Sequence, residues 1–167
     1  MFKRLIIVPL VLLAFVLVGC REGQVNIEAD GSGGVNISLN LTEAEVNALV
    51  VDALNAQGDP VLRDTQVDLR SGEIVVSGTH DRRDGSGPVS GTLAIRASVS
   101  GGQPQISVSS LNIEGFALDD ARIADLNERI AAGIAASANR DNNGVTLTGI
   151  TITDTTLTIS INARRVE

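Results

Sequence analysis

Cys20 is the residue of this chain whose position most clearly suggests covalent chemistry, because it is the single cysteine and ends an apolar run. Residues 5–18 read LIIVPLVLLAFVLV and follow Lys3 and Arg4. The run is shorter than the ~20 residues that a helix needs to cross a bilayer. A basic start, an apolar centre and a small residue before the break are typical of a secretory signal peptide. The alternative is an ordinary signal peptide, or a short anchor, with an incidental cysteine.

The stretch LVGC, Leu17–Cys20, resembles the lipobox of bacterial lipoproteins. In that family the cysteine thiol receives diacylglycerol, and the chain is cut just before it, here between Gly19 and Cys20. The resemblance implies a signal peptide over 1–19 and an extracytoplasmic protein of the cell envelope. Fatty acyl chains such as palmitate on Cys20 would hold it to the membrane, since two or three chains together bind stably. Aspartate after the cysteine would resemble an inner-membrane retention signal, but Arg21 stands there.

Composition limits the partners of the remaining chain. The net charge is −7, and cleavage before Cys20 would remove Lys3 and Arg4 and leave the chain more acidic. An acidic domain is a poor partner for nucleic acid. The same cleavage would leave Phe116 as the sole aromatic residue, which argues against stacking on bases or sugars. We therefore expect an aliphatic core, and no nucleic-acid partner.

Two further stretches carry residue types that could do chemistry. His80 beside Asp81 suggests an acid–base pair, but no G-x-S-x-G nucleophile accompanies it, so we expect a solvated loop histidine. Residues 139–144, NRDNNG, imitate the start of a calcium loop, whose twelfth position would be Ile150 instead of the required glutamate. The sequence thus predicts a protein that is not an enzyme, with no catalytic residue, metal or cofactor.

A pair of arginines offers a different kind of contact. Arg82 and Arg83 could make bidentate contacts to a lipid phosphate, which makes them candidates for a headgroup site. The flanking Asp81 and Asp84 favour the alternative, a solvated cluster of surface ion pairs.

The elements that would position these residues begin after a polar segment. Residues 20–34, rich in Gly and Ser towards the end, predict a lipidated N-terminus and flexible tether, with a short strand at Val25–Ala29 left open. Residues 35–167 then form a single domain. Its first helix is predicted from Glu43 to Gln57, because Thr42 and Glu45 make a capping box.

Alternating apolar residues predict three β-hairpins. In the predicted register of each hairpin, two apolar residues of one strand face two apolar residues of the other, on the same side of the hairpin. Two changes of phase predict β-bulges that bend the strands, one near Ser109–Ser110 and one at Gly149. The expected pairs are Leu69 with Ile74, Val67 with Val76, Ala97 with Ile106, Ile95 with Val108, Ile150 with Ile159, and Ile152 with Leu157.

A second helix is predicted from Asp120 to Ala138, which makes the order β-α-β-β-β-β-α-β-β. The fold class is therefore α+β, with a curved, bulged antiparallel sheet wrapped around two helices. Apolar residues on both helices are core candidates, and part of that face could line a groove for lipid. Those groove candidates are Leu49, Val50, Ala53, Ile123, Leu126, Ile130 and Ile134.

The stretches VNISLNLTEAEVNALVVDAL, LNIEGFALDD and ITITDTTLTIS resemble the YpmS and LmeA-type families, which are similar to the tubular lipid-binding (TULIP-like) superfamily. The resemblance covers most of residues 35–163. It implies a curved sheet around a long helix, enclosing a groove for acyl chains, and no catalytic residues. The leading hypothesis is thus a membrane-tethered lipoprotein that binds a lipid between sheet and helices. The alternative is a structural lipoprotein that docks an envelope partner and has no ligand cavity.

Replacing the candidate lipid-bearing residue tests the anchor. We expect Cys20→Ser to abolish both acylation and membrane retention, since serine offers no thiol to the diacylglyceryl transfer. Intact mass and membrane fractionation of the full chain measure the two effects. A variant that still gains the lipid mass and still sediments with membranes contradicts the lipobox assignment.

Overall fold

The computed structural model describes residues 24–31, 33–82, 84–138 and 145–164. The predicted signal peptide, the lipobox with Gly19 and Cys20, Arg83 and the NRDNNG stretch lie outside the described residues. Strands make up most of the described chain, and two helices interrupt them.

Eight strands form two antiparallel sheets of four strands each. Sheet A has the order β1-β2-β8-β7, and sheet B has the order β3-β4-β5-β6. The α+β class with two helices is confirmed, but the strands divide between two sheets, and β1 precedes the predicted order. The bounds are β1 Gln24–Ala29, β2 Gly34–Thr42, α1 Glu43–Asn55, β3 Arg63–Arg70, β4 Glu73–Asp81, β5 Pro88–Ser100, β6 Gln103–Asn112, α2 Ala121–Ala138, β7 Val145–Ile152 and β8 Thr156–Arg164.

The hairpin registers agree with the sequence pattern, and all six predicted apolar pairs are confirmed. Ser109 is the extra residue of β6, since Ala94 and Ile95 pair with Ser110 and Val108. The second bulge leaves out Thr148, one residue before the predicted Gly149. Because short turns and alternating apolar residues leave one acceptable register, these pairings follow from local sequence.

A third bulge in β3 was not predicted. Arg63 pairs with Thr79 and Gln66 with Ser77, so Asp64 and Thr65 stand opposite Gly78 alone. Asp64 takes a positive φ of 50° there, a conformation that Asp tolerates better than most residues. The residues around this bulge are all polar, so there is no alternation of apolar residues whose interruption could have predicted it.

The first helix begins as predicted. The Thr42 Oγ1 accepts a hydrogen bond from the Glu45 backbone N–H at 3.4 Å, and the Glu45 carboxylate accepts one from the Thr42 N–H at 2.9 Å. The capping box is therefore confirmed. The helix ends at Asn55, two residues before the predicted Gln57. The second helix begins at Ala121, where Asp120 accepts a hydrogen bond from the Arg122 N–H.

The core is aliphatic, as predicted. It joins the inner faces of both sheets to one side of each helix, and the loop between α1 and β3 adds Val61 and Leu62 to it. Such burial of branched side chains supplies most of the free energy of folding in a chain without disulfides. The most deeply buried side chains are Leu54, Leu62, Leu69, Leu93, Ile95, Ile123, Leu126, Val61 and Val76.

Removing the helix cap tests how this first helix is held. We expect Thr42→Ala to lower the free energy of unfolding by about 1 kcal/mol, because the N-terminal backbone N–H groups lose their acceptor. Thr42→Ser keeps the hydroxyl and serves as the control. Urea unfolding of the two variants measures the difference, and equal stabilities would contradict a stabilising role for the cap.

Candidate functional site: an open apolar face on sheet A

Sheet A has one apolar side and one polar side, because side chains alternate along each strand. Cross-strand partners point to the same side, so the register extends each apolar position across the sheet. Ile27 pairs with Ile37, and Ile37 pairs with Ile161, which forms one apolar row over three strands. Val25 pairs with Leu39 in the neighbouring row.

Part of the apolar side is covered by the core, and part is not. At the covered end Leu41 is 7% exposed and Leu157 is 3% exposed. At the other end Val35 is 36% exposed, and on the edge strand Val25 and Ile27 are 53% and 50% exposed. We call the uncovered part the open apolar face, and it consists of Val25, Ile27, Val35, Ile37, Leu39 and Ile161.

The open apolar face is continuous with the interior of the protein. Leu39 and Ile161 are half-buried and pack against the core cluster. The remaining members extend outward from them over β2 and β1. A surface of this kind can take up an apolar group without any polar recognition motif, because contact with a hydrocarbon removes both surfaces from water.

The polar side of sheet A carries a shallow open depression of about 730 Å³. Asn36, Ser38, Ser160 and Asn162 are among its lining residues, together with Ile37 and Ile161 from the alternate positions of the same two strands. The Asn162 amide donates to the Asn36 side-chain oxygen at 2.8 Å and to Asp30 at 3.1 Å, so several of these groups already satisfy one another. This depression lies away from the residues that the sequence singled out for a groove.

The groove candidates on the helices do not share one environment. Val50, Ile123 and Leu126 are at most 5% exposed and belong to the buried core cluster. Ala53, Ile130 and Ile134 are partly buried and pack against that cluster. Leu49 points away from it and is 45% exposed. Among the described residues, the large exposed apolar side chains are Val25, Ile27 and Val35 on sheet A, Leu49 on α1 and Leu118 before α2, so sheet A carries the largest group of them.

Arg82, a headgroup candidate, already has protein partners. Its guanidinium donates to the Ser86 hydroxyl at 3.1 Å and forms an ion pair with Glu114. Its Nε is buried and has no hydrogen-bond partner among the described residues. This arrangement corresponds to the surface ion-pair alternative more closely than to a guanidinium that is free to bind phosphate.

The expectation of a solvated loop histidine at position 80 is wrong. His80 lies on β4, is 7% exposed, and its Nδ1 is 3.1 Å from the carbonyl oxygen of Val61. Phe116 packs edge-on against the imidazole, with ring centroids 4.6 Å apart. The contacts come from segments distant in sequence, so the local pattern of polar residues after His80 gave no sign of its burial.

Phe116 also contacts the cation that begins α2. The Arg122 guanidinium lies 3.9 Å from the ring centroid and forms ion pairs with Asp59 and Asp120. Hydrogen bonding to Asp120 is the main reason that the pKa of Arg122 is raised. Phe116 thus contacts His80 on one side and Arg122 on the other, and these contacts connect sheet B to α2. Each of the three side chains already interacts with other residues of the protein.

Two hydrogen bonds from Gln57 join the end of α1 to α2 nearby. The Gln57 amide donates to the Arg122 carbonyl and to the Asp125 carboxylate, both at 3.1 Å. Hydrogen bonds from Arg129 and then from Gln57 lower the pKa of Asp125. These are structural contacts, and they leave the open apolar face as the strongest candidate for a functional site.

The chain matches no protein-family model, no curated protein and no solved structure. In the described part of the chain, no group of three or more His, Cys, Asp or Glu side chains is placed to hold a metal ion. None of the described helices is long and apolar enough to cross a membrane.

The lowered pKa of Asp125 predicts a pH-dependent contribution to stability. A carboxylate with a depressed pKa in the folded state stabilises at neutral pH, and this contribution is lost as the pH falls through its folded pKa. We expect Asp125→Asn to lower the urea midpoint at neutral pH and to differ little from the parent chain in strong acid. Asp119→Asn, an exposed control without a hydrogen bond in the described chain, should change neither. An equal loss at both pH values contradicts the assignment.

Proposed function

We propose that this protein is a lipid-anchored, non-catalytic domain of the cell envelope that binds acyl chains on the open apolar face. The observation that supports this best is the position of that face relative to the candidate anchor. Val25, its first residue, comes five positions after Cys20. The apolar surface and the predicted acyl chains are therefore close together in the chain.

Covalent geometry limits how far apart they can be. Gln24 begins β1, and four residue steps separate it from Cys20. An extended chain spans at most ~3.6 Å per residue, so this distance is at most ~14 Å. If Cys20 carries acyl chains in a bilayer, the open apolar face stays near lipid, which is then its most accessible apolar partner.

The energetics suit a ligand recognised by hydrocarbon alone. Each methylene group that leaves water contributes about 0.8 kcal/mol, so burial of about twelve methylenes of an acyl chain contributes roughly 10 kcal/mol against the cost of association. The resemblance to the YpmS and LmeA-type families adds the expectation of a curved sheet that wraps around the helices. The bulges at Ser109 and Thr148 support such curvature, because bulges bend and twist strands.

A second candidate function has an observation of its own. Val50, Ile123 and Leu126 fill the space between helices and sheets, and an exposed apolar patch without an interior groove is what a docking lipoprotein would show. In this alternative, a protein of the envelope covers the open apolar face instead of lipid.

Co-purified lipid distinguishes these functions. The chain from Arg21 onward, produced without its signal, is analysed by native mass spectrometry and by lipid extraction. We expect a bound lipid in the parent chain, and a reduction of about tenfold in its occupancy in Val35→Ser. The reason is that serine interrupts the open apolar face without touching the buried core.

Leu49→Ser is the matched control, because Leu49 is similarly exposed but lies on α1, outside the face. It should retain the lipid. If Leu49→Ser loses lipid and Val35→Ser keeps it, the ligand binds at the helices. If the parent chain carries no lipid and binds no apolar dye, the lipid-binding function is wrong and the docking function takes its place.

A further inference from the structure

The two described sheets have four edge strands, and three of them carry features that hinder pairing with another strand. Natural proteins use charges, proline and bulges for this purpose. β3 has a bulge and four charged residues, β6 has Pro104 and the bulge at Ser109, and β7 has the bulge at Thr148.

The fourth edge, β1, has neither a proline nor a bulge over its six residues, QVNIEA. Its register with β2 is uninterrupted from Gln24 to Ala29, and all six residues are exposed. Glu28 is its only charged residue. A regular edge with exposed Val25 and Ile27 presents backbone groups that have no partner strand in the described part of the chain, beside apolar side chains, which is a template for adding a strand.

We propose that β1 pairs antiparallel with β1 of a second copy of this chain, which makes one continuous eight-stranded sheet. The six residues are self-complementary about Asn26. With Asn26 facing its own counterpart on the two-fold axis, Val25 of each copy faces Ile27 of the other, and Gln24 faces Glu28. Apolar side chains then meet on one side of the sheet, and the carboxylates face amides instead of each other.

Other registers are less favourable. A shift by one residue would place the apolar side of one copy against the polar side of the other. The register centred on Ile27 keeps the sides matched, but it pairs Val25 with the smaller Ala29. Pairing about Asn26 therefore buries the most apolar surface, and it joins two open apolar faces into one.

The anchor geometry is compatible with this arrangement. In the proposed register the two Gln24 residues are four positions apart along the strands, or about 14 Å. Each is within ~14 Å of its own Cys20, so both anchors can enter one bilayer. Confinement of two copies to the same membrane raises their effective concentration. The pairing itself does not depend on lipid binding by the open apolar face.

Cysteine cross-linking of the full chain in its own membranes tests the pairing. In Asn26→Cys, the new cysteines face each other across the two-fold axis, where antiparallel partners have the Cα separation that a disulfide needs. Mild oxidation should convert most of the chain into a disulfide-linked homodimer. Ser38→Cys is the matched control, since Ser38 is the β2 partner of Asn26 and would stand about 14 Å from its counterpart. The parent chain controls for Cys20.

A second variant tests the same contact without cross-linking. Asn26→Lys places two like charges on the two-fold axis, and we expect it to raise the dissociation constant of the detergent-solubilised dimer at least tenfold in sedimentation equilibrium. Because β1 contributes no buried side chain to the described core, the midpoint of thermal unfolding of Asn26→Lys should stay within a few degrees of that of the parent chain.

A homodimer in Asn26→Cys, absent from Ser38→Cys and from the parent chain, supports the proposal. Cross-linking of Ile27→Cys in place of Asn26→Cys overturns the register. A disulfide product of a mass other than twice the chain shows that another protein's strand occupies the edge and overturns the second copy. A monomer with no cross-link overturns the pairing altogether, whereas loss of lipid in Val35→Ser concerns only the proposed function.

Discussion

Sheet A is longer than the elements that cover it, and this mismatch shapes the whole molecule. Along β2 the apolar side chains change from buried Leu41, through half-buried Leu39 and Ile37, to exposed Val35. Alternation along the strand keeps all four on one side of the sheet. The core therefore does not end at a polar boundary, and its apolar surface continues into solvent. Both the proposed lipid contact and the proposed strand pairing use this continuation.

Polar contacts join the end of α1 to the start of α2. The Gln57 amide donates to the Arg122 carbonyl and so links the end of α1 to the start of α2. The Val61 carbonyl, in the loop after α1, lies next to the His80 imidazole on β4 and so links this region to sheet B. Arg122 is well paired there, because Asp120 and Asp59 hold its guanidinium while Phe116 covers one face of it. Phe116, the one Phe, Tyr or Trp residue of the described chain, is thus placed between a cation and an imidazole.

Local sequence predicted much of the secondary structure, for reasons that concern only neighbouring residues. Thr42 and Glu45 specify the start of α1, and the change of phase before Leu111 specifies the bulge at Ser109. The division into two sheets was not predictable in this way, because the pairing of β2 with β8 joins segments more than a hundred residues apart. The burial of His80 and the exposure of Leu49 depend on the same non-local packing.

The sequence by itself determined the identity of the candidate anchor, the hairpin registers and the aliphatic character of the core, since each depends on residue type and short-range spacing. Only the tertiary structure decided where the apolar surface remains open. The helices have the stronger apolar pattern in the sequence, yet most of their apolar side chains are buried against the two sheets. The strand next to the candidate anchor, where the sequence predicts a tether and leaves a short strand at Val25–Ala29 open, carries exposed apolar side chains. Burial is a property of the completed fold, because it depends on which surfaces other elements cover.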